Sequence, residues 1–466
     1  MFIRVSVSIG QHIEISEDIL RRYDVNAPRY TSYPTSPWWN ENFAETDFRR
    51  VAAASNHSGR PLSLYMHLPF CDQMCLFCGC NAIVRHDHQK AAGYLSLLAQ
   101  EIDLVMGVID TSRPVVQFHW GGGTPTYFSP DQLATLFAHT AKRVHFADDA
   151  EIGVEIDPRV TSVEHLDTLR ELGFNRLSLG VQDFDPTVQR AVRRIQPFEM
   201  VQELTQACRT RGFASINYDL MYGLPYQTPE SFSHTLDEVL TLRPDRIAMF
   251  SYGHVPWVKR QQQALEGTIP LGRDKFQLFA IGLERLTKAG YVYVGMDHFA
   301  LPDDELCVAQ RDRSLHRNFQ GYTTKDGADL FGMGITAIGG LERSYTQNVR
   351  GLKEYRAALD NDRLPVLRGV ELTDEDVIRR AAISDLLCFG SLRKEDFGAH
   401  WGVDFDAHFS RELADLAPLI RDGLVEPRDD AIVATPLGNV FIRVIAAVFD
   451  EYLRRPGDGP RHSHTV

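Results

Sequence analysis

Six short runs rich in apolar and β-branched residues, at 62–67, 115–120, 151–156, 176–181, 214–221 and 246–252, alternate with stretches of helical period. Strands that alternate with helices imply a parallel sheet, because each helix carries the chain back to start the next strand from the same end. We therefore expect an α/β protein built on a partial (β/α)6 parallel barrel. Every run ends in polar or glycine residues: His67, the Gly-Gly-Gly-Thr loop at 121–124, Glu155 with Asp157, Gln182 with Asp183, Asp219, and Tyr252-Gly253-His254. In parallel barrels the C-terminal strand ends gather at one mouth, so these polar endings point to one shared site. The clearest helix start is Ser129-Pro130-Asp131-Gln132, with a capping Ser, Pro at the first helical position and Gln at the third.

The chemistry is concentrated after the first strand. The segment 65–81, YMHLPFCDQMCLFCGCN, places Cys71, Cys75 and Cys78 as C-x3-C-x2-C. Three thiolates on one loop can bind three irons of a 4Fe–4S cube and leave the fourth iron open to a small molecule. An electron-transfer cluster normally takes four cysteines, and structural zinc prefers four ligands, often as two C-x2-C pairs. No second pair is present. Cys80, one residue beyond Cys78, reads as a neighbouring thiol, with a role as fourth ligand left open. No apolar run approaches the roughly 18 residues that span a bilayer, and the N-terminus lacks a signal peptide's apolar centre. We expect a cytoplasmic protein, where close cysteines stay reduced and indicate metal or catalysis. The net charge of −13 argues against a nucleic-acid partner, and no membrane partner is expected.

The C-x3-C-x2-C loop, the aromatic Phe77 before the third Cys and the downstream GGGTP loop resemble the radical S-adenosylmethionine superfamily. Within it, the chain is similar to the oxygen-independent coproporphyrinogen III oxidase family of haem biosynthesis. The resemblance runs from PRYTSYPT in the N-terminal region to the C-terminal domain. It is carried by CGCN (78–81), HWGGGTPTY (119–127), EIDPR (155–159), GVQDF (180–184), GLPYQT (223–228), GMDHFA (295–300) and HRNFQGYTT (316–324). It implies a 4Fe–4S cluster on Cys71, Cys75 and Cys78, and two molecules of S-adenosylmethionine. The implied reaction turns two propionates of coproporphyrinogen III into vinyl groups. Position by position, Tyr65, Gly122, Glu155 and Ile338 match contacts of the iron-bound S-adenosylmethionine. Phe77, Gly123, Thr124, Gln182, Arg194 and Asp219 match contacts of the second. Gly253 stands where a close relative carries Ala. The resemblance also implies a monomer served by a low-potential electron donor such as flavodoxin or ferredoxin. Rival readings are a haem chaperone on the same scaffold and an electron-transfer iron–sulfur protein. The family's chaperones usually lack both the cysteine matching Cys80 and the N-terminal arm.

A substrate with four propionates needs cations, for which Arg29, His298, His316 and Arg317 are candidates. Residues 1–50 read as an irregular arm. Within it, 28–35 is expected to cover the barrel mouth, so that its deletion would spare much of the fold. The barrel and its extension should occupy 51–364 and a mostly α-helical domain 365–466. That domain should hold helices at 374–388 and 405–421, then a hairpin, an apolar helix and a disordered tail. Arg194 falls on an expected helix.

Overall fold

The six runs are strands, numbered here β1 (Leu62–Leu68), β2 (Val115–Gly122), β3 (Phe146–Ile156), β4 (Arg176–Gln182), β5 (Ser215–Tyr222) and β6 (Arg246–Ser251), paired in parallel in that order. The computed structural model describes residues 2–8, 11–455, 462, 464 and 465. Connecting helices start where the sequence signals them. Pro130–Ala141 begins with Ser129 accepting from Gln132 N–H while Gln132 returns the bond, a reciprocal cap. Between β2 and its covering helices, Phe118, Trp120, Phe137 and Phe174 form an aromatic cluster, with Trp120 and Phe174 centroids 4.8 Å apart. Each such side chain contributes about 2–3 kcal/mol by leaving water.

The sheet is larger than the expected barrel. Asp329–Met333 pairs in parallel with β1, and Ile338–Leu341, Ser344–Asn348 and Val366–Glu371 follow antiparallel. Beyond β6 lie His298–Ala300 and Val292–Gly295, giving twelve strands. Strand Val366–Glu371 therefore completes the main sheet, although its sequence position suggested the C-terminal domain. These added strands are short, and Ile338–Leu341 (IGGL) lacks strand composition because its glycines serve packing: a Cβ on Gly339 would lie 2.8 Å from Thr346 Oγ1 and 3.1 Å from Leu330 O. Glu101, on helix His88–Met106, ties that helix to the extension. It accepts from Gly334 N–H at 2.7 Å, Asn348 Nδ2 at 2.5 Å and Tyr355 Oη at 2.5 Å. Burial pushes its carboxyl up to about 7. A carboxyl whose folded value exceeds its ordinary 4.5 favours the folded state less as pH rises between those values. The fall in urea midpoint from pH 4.5 to 7 should be shallower in Glu101→Gln than in the parent.

Residues 1–50 are not irregular. They hold an antiparallel hairpin (Phe2–Ser8 with Gln11–Ser16), a helix Glu17–Tyr23 and the start of helix Glu45–Ser55. The hairpin's strands are not evident in the sequence because the polar stretch SVSIGQH breaks the apolar period. Nor does segment 28–40 sit on the rim beside the cysteine loop. Arg29 pairs with Asp297, between the two edge strands beyond β6. Trp39 stacks on Tyr345 at 5.5 Å, and Asn40 pairs with Gly369 at the opposite edge. The segment thus braces the two edges of the open sheet. It is locked from outside: Tyr30 Oη donates to Asp450 at 2.9 Å, Glu451 N–H donates to Tyr33 Oη at 3.1 Å, and Arg443 Nε donates to Pro28 O at 3.1 Å.

In the C-terminal part, helix Asp374–Phe389 forms as expected, capped by Thr373 and Asp376. The expected helix at 405–421 is three short pieces, Phe405–His408, Ser410–Asp415 and Ala417–Arg421, broken around Phe409 and Leu416. Strands Ser391–Arg393, Val425–Pro427 and Ala431–Ala434 make a small sheet. The expected apolar helix is split into Pro436–Val440 and Ile442–Ala447. The expected disordered tail lies largely outside the described residues. Its described members are engaged: Thr465 Oγ1 donates to Tyr23 O at 2.5 Å, and His464 O accepts from Arg443 Nη1 at 2.7 Å. No helix among the described residues is long and apolar enough to cross a membrane.

Candidate active site

The cysteine loop leaves β1 at its C-terminal end. Phe70–Cys71 pairs with Ile83–Val84, closing 71–83 into a lobe beside the strand ends. Thr124 Oγ1 lies 3.4 Å from Cys71 Sγ. Cys75 is buried against two guanidiniums, Arg159 Nη2 at 3.5 Å and Arg194 Nη1 at 3.6 Å. Asp157 holds both arginines, receiving Arg159 at 2.6 Å and Arg194 at 3.0 Å. Burial works against its charge, but Arg194 and Arg159 outweigh burial and bring it down to about 2. A hydrogen bond from Cys80 lowers Cys78 to about 6, while burial raises Cys71 to about 11. Among the described residues no three His, Cys, Asp or Glu side chains converge as around one ion. Thiolates that each take a separate iron of a cube stand farther apart than that. Three thiols on one lobe, one braced by two cations, fit a 4Fe–4S cluster.

The lobe opens on a cavity of about 390 Å³ inside the barrel. Phe77, Cys78 and Cys80 form its upper wall, and alternate residues of the strands form the rest: Gln117 and His119, Glu151 and Glu155, Ser178, Asn217 and Asp219, Phe250. This is the period of two that places every second side chain inside. Glu155 accepts from Gly122 N–H at 3.0 Å and faces His119 Nε2 at 3.7 Å. Burial raises its pKa, but His119, the Gly122 N–H and His67 together hold it below the ordinary value. Asp219 accepts from Ser178 Oγ at 3.0 Å and Asn217 Nδ2 at 2.8 Å, and burial pushes it up to about 7. Gln182 adopts φ +67° and points a buried Oε1 at no donor among the described residues. Such strain costs of order 1–3 kcal/mol and clusters at ligand sites. Tyr65 Oη bonds His67 Nδ1 at 3.1 Å, and His67 Nε2 bonds Asn81 O at 3.2 Å. A carbonyl only accepts, so Nε2 carries the hydrogen and the tyrosine donates to Nδ1.

Other expected residues lie elsewhere. Arg194 is not on a helix: that helix, Pro186–Ala191, ends before it, and Arg193 turns the chain at φ +56°. Arg194 is buried and also donates to Gly180 O at 2.6 Å and Gln196 Oε1 at 3.1 Å. Gly122 and Gly123 are required by packing: a Cβ would meet His67 at 2.7 Å and the Pro69 carbonyl carbon at 2.5 Å. Thr124 anchors the loop through its N–H to Phe70 O at 2.9 Å. Gly253 has open space beside it. Ile338 sits outside the cavity lining, next to Gly332, which pairs with Tyr65. His298 lines the cavity, its Nδ1 unpartnered among the described residues, and burial holds it well below its ordinary value. Arg317 and His316 line a second hollow of about 330 Å³, with Tyr30 and Tyr33. Arg317 is buried over the Tyr322 ring at 4.9 Å, with Nε and Nη1 unpartnered among the described residues. His316 faces Asp326 at 3.2 Å. Arg29 lines neither hollow, though its guanidinium lies 6.0 Å from the Phe250 ring.

The strand-end reading missed His119, Ser178 and Asn217, which stand two residues or more before the ends and orient Glu155 and Asp219. It named Asp157 but not its role: with Arg159, which it missed, Asp157 buttresses Cys75. The first group was readable from alternation. Arg159 gave a local signal only as part of EIDPR.

Residues 65–239 match the Radical SAM superfamily, and residues 372–441 match the HemN C-terminal domain. The chain is 44% identical to oxygen-independent coproporphyrinogen III oxidase of Escherichia coli K12, over 98% of this chain and 99% of that protein. The Synechocystis protein of that name is 43% identical, covering 97% and 98%. The Helicobacter pylori 26695 one is 46% identical, covering 93% and 96%. A solved structure of coproporphyrinogen III oxidase (HemN) from Escherichia coli, a radical SAM enzyme, superposes with a TM-score of 0.87 at 44% identity, covering 91% of this chain and 97% of that one. With three thiols at the strand ends, an acid-lined barrel cavity and whole-length likeness to these proteins, the chain belongs to the oxygen-independent coproporphyrinogen III oxidase family of radical SAM enzymes.

Proposed function

We propose that this protein converts coproporphyrinogen III to protoporphyrinogen IX without oxygen, in the cytoplasm and as a monomer. Each of two propionates loses CO2, one β-hydrogen atom and one electron, and becomes vinyl. The observation that carries this reading is the three-thiol lobe opening directly into the acid-lined cavity. When bound, the cluster and S-adenosylmethionine supply a 5′-deoxyadenosyl radical for hydrogen abstraction. Cys71, Cys75 and Cys78 hold the cluster, with Arg159 and Arg194 lying against the Cys75 sulfur.

Glu155, charged and fixed by Gly122 and His119, receives the ammonium of the iron-bound S-adenosylmethionine, with Tyr65 and Ile338 matching the same molecule. Asp219 and Gln182 receive the hydroxyls and amino-group donors of a second one, beside Phe77, Gly123 and Thr124. Arg194 acts there through Asp157 and Gly180 as much as by contact. His298, Arg317, His316 and Arg29 offer cations or hydrogen-bond donors to propionates, Arg317 with two free guanidinium nitrogens among the described residues. A low-potential donor such as flavodoxin or ferredoxin supplies electrons.

The test is an anaerobic assay of the reconstituted protein with coproporphyrinogen III, S-adenosylmethionine and dithionite. Vinyl product is expected, and haem binding without product would support a chaperone instead. Asp219→Asn should weaken one of two S-adenosylmethionine sites about tenfold and spare the other in anaerobic equilibrium binding, since it removes one charge-assisted hydrogen-bond acceptor. Unchanged affinity at both sites would remove Asp219 from the second site.

A further inference from the structure

The cysteine lobe is held from outside by two segments. Leu76 N–H donates to Val192 O at 3.0 Å. Gln261 Nε2 donates to Cys78 O at 2.9 Å, and Lys259 Nζ donates to Cys80 O at 2.6 Å. The same two segments turn large apolar side chains to solvent: Ile195 is 53% exposed, Trp257 61% and Val258 66%. Arg190, Arg193 and Arg260 are exposed among them. No Asp or Glu occurs at 188–196 or at 253–265; the nearest acids, Asp185, Glu199 and Glu266, stand outside these stretches. On a chain of net charge −13, a basic and apolar surface beside the lobe is a local reversal of sign.

The radical reading requires one electron from outside per cleavage, and electron transfer weakens steeply with distance. A donor must therefore approach the lobe from the side away from the cavity, where these two segments hold it. We propose that Arg190, Arg193, Ile195, Trp257, Val258 and Arg260 form the docking face for a small, acidic, flavin-bearing electron carrier. The inference rests on the radical reading of the same site. An acidic carrier is steered to this face and repelled by the acidic remainder of the surface. The Trp257 indole and Val258 supply flat apolar contact for the exposed edge of a flavin ring. On docking, the reduced flavin loses one electron and the cluster gains it, and no bond or proton changes on this chain.

The test uses the cluster-loaded enzyme, a negatively charged flavodoxin as probe, and the variants R190E/R260E and W257A/V258S. Equilibrium binding to flavodoxin is measured at low and high salt, and product formation is measured with flavodoxin and with dithionite. Charge reversal should weaken flavodoxin binding at least tenfold, and salt should weaken the parent complex likewise. W257A/V258S should weaken binding with little change in salt dependence. Dithionite, a small reductant that needs no docking, should support equal turnover in parent and variants. Unchanged flavodoxin binding in both variants overturns the proposal. Equal loss with both reductants also overturns it, by assigning these residues to support of the lobe. Failure of the parent with dithionite, with flavodoxin still bound, would instead count against the radical reading.

Discussion

Replacing Cys71, Cys75 or Cys78 by Ala is expected to abolish the cluster, with iron falling from about four per chain to near none and product below detection. A cube with an open iron has only three protein ligands, so none is redundant. The three positions should still differ in one respect. Cys75 lies against Arg159 and Arg194, both anchored on buried Asp157. Removing its sulfur leaves buried Arg194 and half-buried Arg159 facing a void, so Cys75→Ala should also lower the thermal midpoint more than Cys71→Ala does. Cys80→Ala should retain its iron. Its thiol is exposed and interacts with Cys78, which it helps to ionise. Iron and sulfide analysis of the four variants decides the assignment, and iron lost only in Cys80→Ala would overturn it.

Deleting residues 1–35 is expected to destabilise the protein by on the order of 5 kcal/mol or more, a large part of a typical domain's stability. The sequence suggested a removable cover, but the structure makes the segment part of the core. Tyr30 and Tyr33 are 5% and 1% exposed, and losing each buried aromatic costs about 3–5 kcal/mol. Buried Arg443 loses two backbone carbonyl acceptors, Ala27 O and Pro28 O. Asp450, 2% exposed, loses its Tyr30 partner. Chemical denaturation should show an early transition of the C-terminal helices, or unfolding before the parent's midpoint. Tyr30→Phe isolates one bond and should cost about 1–2 kcal/mol. An unchanged midpoint in the truncated chain would return the segment to the status of a detachable cover.

The barrel was legible because its strands are long, β-branched and spaced by capped helices, so local pattern and tertiary role agree. β1 to β6 appear within a few residues of the expected bounds, except that β3 starts five residues early at Phe146. The remaining strands were not legible, because Ile338–Leu341 and Val292–Gly295 take their form from neighbours rather than from composition. At the site, the thiols and strand-end acids announce themselves by spacing. Arg317 and His298 do not, since an unpaired buried cation or imidazole resembles a surface one until burial is known. Arg194 shows the converse: sequence offers it as a ligand contact, and burial adds what sequence does not show, that it is also a strut between Asp157 and Gly180.

The brace across the open sheet also sets the order of events during synthesis. It is made by residues near 23–40, yet it is pinned by Arg443, Asp450 and Thr465 at the other end of the chain. The last barrel strand ends at Ser251, and ~190 further residues must be made before the pinning segment exists, roughly 10–40 s at 5–20 residues per second. During that interval the cysteine lobe and barrel strands can form while the side of the barrel stands unsealed. The barrel's open side is sealed only when residues 443–465 reach the segment near 23–40 and pin it across the sheet edges.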